Sequence, residues 1–120
     1  MGYLPDAVFV ALGINDAMSS DVIEETIPVF FEKLASIYPN TPIVAILPIT
    51  DLQEHDCSRL GAVRAQIRAQ AERYDHIRIV DGTRLVPPME AFYTDGLHPS
   101  ALGMQLYAFN LAREVSALDL

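Results

Sequence analysis

Three short apolar runs, separated by segments of helical period, constrain the fold of this chain more than any other feature. The first, Ala7-Val-Phe-Val-Ala-Leu12, is rich in β-branched residues and closed by Gly13. The second, Ile43-Val-Ala-Ile-Leu47, lies between Pro42 and Pro48, and a weaker third copy, His76-Ile-Arg-Ile-Val80, is closed by Asp81-Gly82. Apolar runs of this length without alternation suit strands buried on both faces, as in a parallel sheet.

Between the runs the apolar residues follow a helical repeat. Ile27, Phe30, Phe31, Leu34, Ile37 and Tyr38 fall on one face, with Pro28 expected in the first turn, where its missing N–H costs nothing. Leu60, Val63, Ile67, Ala71 and Tyr74 form a second stripe, opposite Arg59, Arg64, Arg68, Glu72 and Arg73. A last helix starts near Ser100, its plausible N-cap, and carries Leu102, Leu106, Phe109 and Val115. Strands alternating with helices through short loops predict right-handed crossovers and a layered α/β domain. The expected architecture is a parallel sheet of about three strands with helices on both faces, one domain over residues 1–120.

Charge and cysteine content narrow the function classes. Sixteen acidic against eight basic residues give a net charge of −8, with no Lys/Arg cluster to neutralise phosphates, so nucleic acid is not an expected partner. A single cysteine, Cys57, forms no intrachain disulfide and no thiolate cluster. No apolar stretch is long enough for a membrane span, and the N-terminus has no basic region and apolar core of a secretory signal, so the chain as given reads as soluble.

Two motifs carry chemistry. Asp95-Gly-Leu-His98-Pro99 places a carboxylate three residues before an imidazole in a Gly/Pro-punctuated loop that opens the last helix. Gly13-Ile-Asn15-Asp16 delivers an amide side chain at the end of the first strand. In open α/β sheets ligands collect at the carboxyl ends of strands, and both motifs are expected on that rim. His98 can take a proton from a hydroxyl if Asp95 fixes its tautomer and stabilises the imidazolium that forms. The Asn15 amide can donate to an oxygen that becomes negative in a tetrahedral intermediate, with Gly13 allowing close approach and Asp16 bracing the loop. Judged singly, Asn15-Asp16 and Asp95-Gly96 are also ordinary turn chemistry, and His98 also reads as a capped, structural histidine. His55 and Cys57 offer two metal ligands without a third, His76 reads as an ordinary strand-entrance residue, and Ser19 and Ser20 before Asp21 and Glu24 are helix-start residues.

Taken in order, strand-Gly13-x-Asn15-Asp16, Pro48 closing the next strand and Asp95-x-x-His98-Pro99 opening the final helix resemble the later blocks of the SGNH or GDSL family of serine esterases and acylhydrolases. The resemblance implies a three-layer flavodoxin-like sheet in which Asn15 completes an oxyanion hole and Asp95 and His98 serve a catalytic serine. It also implies small acyl esters or acylated sugars as substrates, and no metal or organic cofactor. The family's nucleophile sits in a Gly-Asp-Ser motif several dozen residues before the Gly-x-Asn-Asp block, whereas here twelve residues precede Gly13 and Gly-Asp-Ser does not occur. The expectation is therefore the C-terminal portion of such an enzyme, inactive or nearly so alone, or else a non-catalytic ligand-binding or interaction module on that fold. The family's strand order, 2-1-3-4-5, would leave Asp6–Leu12 as an open edge, predicting a homo-oligomer or an N-terminal partner segment paired there. A nucleotide-binding reading lacks a Gly-rich phosphate loop after any strand.

Overall fold

The computed structural model describes residues 4–11, 21–50, 52, 57–94 and 98–120, the side chains of 21–24 and 57–59 excepted. Strand β1 (Val8–Ala11) leads to helix α1 (Asp21–Ile37), then β2 (Ile43–Ile46), α2 (Cys57–Ala71) and β3 (Ile77–Val80). Two single 3-10 turns, Gly82–Arg84 and Glu90–Phe92, precede helix α3 (Ala101–Leu118). Each of the three apolar runs is a strand, and the sheet is parallel with order β1-β2-β3. Its register sets Val8 beside Ile43 and Ile43 beside Ile77.

Both crossovers step across the sheet in the same direction, and connections of one hand then place α1 and α2 on the same face. Ile43, Ala45 and Leu47 of the β2 segment pack there against Ile27, Phe31, Leu60, Val63 and Ile67. Val44, Ile46 and Val80 point to the opposite face, where Leu85, Val86 and Tyr93 join them under Tyr107, Leu111, Val115 and Leu118 of α3. The central strand is buried along its whole length, which is why its sequence shows no polar alternation. β1 alternates half-buried and exposed positions, with Phe9 49% exposed, because among the described residues nothing covers its outer edge or its α3-side face.

The helices depart from the sequence reading in four places. Pro28 does not sit in a first turn: α1 begins at Asp21, directly after Ser19-Ser20, so the proline lies inside the helix and removes one i→i−4 hydrogen bond. Phe30 and Ile37 are exposed, at 39% and 64%, while Ile27 and Phe31 carry the buried stripe. Leu102 and Phe109 are exposed as well, because α3 turns Tyr107, Leu111, Val115 and Leu118 inward instead. Arg64, expected on the solvated side of α2, is half-buried and folds back onto the loop after β2.

Close backbone packing at the carboxyl end of the sheet depends on one glycine. A Cβ at Gly82, two residues beyond β3, would stand 1.7 Å from the Leu47 carbonyl oxygen and 2.7 Å from that of Pro48. The exits of β2 and β3 therefore touch through backbone. No helix among the described residues is long and apolar enough to cross a membrane.

Candidate active site

The segment around His98 is built as a small clasp. Tyr93 pairs with Pro99 in an antiparallel bridge, flanked by Ser100 N–H donating to the Phe92 carbonyl at 2.8 Å and Thr94 N–H donating to the His98 carbonyl at 2.9 Å. The Thr94 hydroxyl donates to the same His98 carbonyl at 3.1 Å. With its backbone held by two donors from one residue, His98 has a fixed Cα, and its side chain is exposed.

Helix α3 starts immediately behind this clasp. Ser100 is its N-cap: the hydroxyl accepts from Gly103 N–H at 3.1 Å and donates to the Ala91 carbonyl at 2.9 Å, joining the helix start to the preceding 3-10 turn. A Cβ on Gly103 would lie 2.1 Å from the Phe92 carbonyl oxygen, so only glycine lets the helix sit this close to the clasp.

One long-range bond fixes where the clasp stands in the molecule. The Tyr93 phenol donates to the Thr50 carbonyl at 2.6 Å, across 43 residues of sequence, with the ring 7% exposed. Thr50 lies just beyond β2, so His98 is held at the carboxyl end of the sheet, where the sequence placed it. The carbonyls of Pro48 and Ile49 no longer have a strand partner, and Arg64 donates to both, Nε to Pro48 at 2.8 Å and Nη2 to Ile49 at 2.7 Å. These are charge-assisted bonds in a half-buried setting, where leaving the carbonyls unpaired would be costly.

Of the predicted site residues, His98 is thus located, whereas Gly13, Asn15, Asp16 and Asp95 lie outside the described residues, as do His55, Ser19 and Ser20. β1 ends at Ala11 and runs parallel to β2, so its carboxyl end points to the same rim as the clasp. Among the described residues no group of three His, Cys, Asp or Glu side chains converges on a point that could hold a metal. Sequence reasoning missed Thr50, Arg64, Tyr93 and Thr94. Thr94 adjoins the Asp95 motif, and Arg64 lies one turn from Leu60 at the border of the apolar stripe, but a bond spanning 43 residues leaves no local trace.

The sequence profile of the GDSL-like lipase/acylhydrolase family matches residues 2–106. No curated protein sequence matches the chain. Among solved structures, the salicylyl-acyltransferase SsfX3 from a tetracycline biosynthetic pathway superposes with a TM-score of 0.79 at 22% identity, covering 98% of this chain and 39% of its own. A Streptococcus pneumonia protein provisionally described as a platelet activating factor gives a TM-score of 0.75 at 20% identity, covering 90% of this chain and 58% of its own. A carbohydrate esterase family 3 protein from Talaromyces cellulolyticus gives 0.71 at 20% identity, covering 95% and 58%. The likeness is one of fold, and the chain spans 39–58% of the length of these structures.

Proposed function

The chain belongs to the GDSL-like lipase/acylhydrolase family, and on that premise we propose that it supplies the base and oxyanion half of an acyl-transfer site whose nucleophilic serine comes from another segment. His98 takes the serine hydroxyl proton as the oxygen attacks the ester carbonyl, then returns it to the leaving alcohol. Asp95 orients the imidazole, and the Asn15 amide donates to the carbonyl oxygen as it becomes negative. Such a donor is typically worth about 3–4 kcal/mol of barrier. Gly13 and Asp16 shape the loop that presents Asn15. The substrates are small acyl esters or acylated sugars.

The observation that carries this reading is the clasp that contains His98 and is tied through the Tyr93 phenol to the Thr50 carbonyl, at the strand-end rim where such sheets bind ligands. The open side of β1 is where the serine-bearing segment docks. Val8 N–H donates inward to the Pro42 carbonyl at 2.9 Å, so by strand alternation the Phe9 and Ala11 backbone groups face outward and are available to a further strand.

Hydrolysis of a short-chain nitrophenyl ester tests the proposal. The chain alone is expected to show no turnover, and addition of a segment carrying Gly-Asp-Ser from a family member is expected to restore it. His98→Ala should then lower the restored rate by about a thousandfold or more. Turnover that survives His98→Ala rejects the proposed base. Substrate-analogue binding without turnover, weakened by Asn15→Ala, would identify a binding module instead.

A further inference from the structure

We propose that Tyr93 is a positioning residue for His98, its phenol locking the His98 clasp to the peptide after β2, which Arg64 in turn locks to α2. The inference deepens the reading of His98 as a base and rests on it for its catalytic meaning. Three consecutive carbonyls that β3 does not reach, those of Pro48, Ile49 and Thr50, all accept from side chains. Arg64 donates to the first two and Tyr93 to the third, at 2.8, 2.7 and 2.6 Å.

Tyr93 also belongs to the clasp through its own backbone, which bridges to Pro99, the residue after His98. Any displacement of the phenol oxygen is therefore passed to the His98 Cα through one bridge and the paired Thr94 donors. A tyrosine that only filled the core would need no hydroxyl at this point, and phenylalanine would serve equally. Here the ring is buried while its oxygen finds a backbone acceptor at the rim, and the only route from that acceptor back to a regular element among the described residues runs along the segment Arg64 holds. Tyr93 and Arg64 act in series. Backbone anchoring fixes where the imidazole starts from, and a displacement of about 1 Å at a catalytic group can cost a hundredfold in rate.

Nuclear magnetic resonance of the full chain with labelled histidine tests the proposal. Tyr93→Phe keeps the ring and removes one donor. The His98 imidazole resonances should shift or broaden, while those of His76, at the opposite end of β3, keep their positions. The Thr94 amide should exchange with solvent about fivefold faster, as expected for a weakened hydrogen-bonded clasp. Arg64→Met should move the same His98 resonances, and the double variant should move them by less than the sum, because both changes release one segment. Should Tyr93→Phe fail to fold, Arg64→Met carries the test through the His98 and Thr94 signals alone. An unmoved His98 signature, or effects of the two substitutions that simply add, overturns the proposal. Moved His98 resonances in a protein whose restored ester turnover ignores His98→Ala would uphold the positioning and reject the catalytic role.

Discussion

At the scale of single residues, two backbone contacts set the geometry of the rim. Gly82 and Gly103 each meet a carbonyl oxygen where a Cβ would stand, at 1.7 and 2.1 Å. Gly82→Ala or Gly103→Ala should therefore force backbone apart and lower stability by about 1–3 kcal/mol, read as a reduced urea midpoint. Gly61, inside α2, has nothing within 4 Å of its would-be Cβ, and Gly61→Ala should raise stability by up to about 1 kcal/mol through helix propensity. Tyr107 gives a pH-dependent counterpart. Partial burial between α3, which carries it, and the sheet raises its phenol above the usual value of 10.0, since the ionised form would lose solvation. Below that pH the phenol is neutral in both states and contributes no slope. As the pH rises past 10.0 the unfolded chain releases its proton first, so stability falls, and Tyr107→Phe should flatten that fall in unfolding experiments between pH 9 and 11 relative to the parent chain.

Elements differ in how openly the sequence declares them. β2 was legible because burial on both faces removes every polar residue, and the α2 stripe of Leu60, Val63 and Ile67 is apolar on one side only. α3 is apolar on several sides, with Leu102, Met104, Leu106, Phe109, Leu111 and Val115, so periodicity does not select which residues turn inward. The interior position of Pro28 was hidden because the α1 stripe starts at Ile27, more than one turn after the helix itself begins. The Asp95–Pro99 motif announced a helix start, and α3 begins at Ala101 with Ser100 as its cap. Its anchoring through Tyr93 depends on where the chain returns in space, which no local pattern encodes. β1 permits a sharper experiment, since its inward and outward amides have different fates. Val8→Pro deletes the bond to the Pro42 carbonyl and should destabilise the sheet by more than 1 kcal/mol, about the worth of a hydrogen bond plus the strain of proline in a ladder. Ala11→Pro, at an outward amide, should leave the melting temperature of the isolated chain nearly unchanged yet abolish restoration of ester turnover by a serine-bearing segment.

For the whole molecule, the two faces of the sheet are covered unequally. α1 and α2 cover one face, while α3 covers the β3 side of the second face and leaves Phe9 half-exposed, at an edge with no strand partner among the described residues. Solved structures of the same fold extend well beyond the part this chain matches. An apolar open edge of this kind invites pairing, so light scattering at high concentration should find dimers or larger species rather than a stable monomer. An acyl-transfer site in this chain requires the amide at position 15 and the imidazole at position 98 to share one rim. A nitroxide carried on Asn15→Cys, in a Cys57→Ser background, measures this directly through paramagnetic broadening of histidine resonances. Loss of the His98 signals with those of His76 retained is the expected result, and sharp His98 signals beside the label would contradict a shared acyl-transfer site.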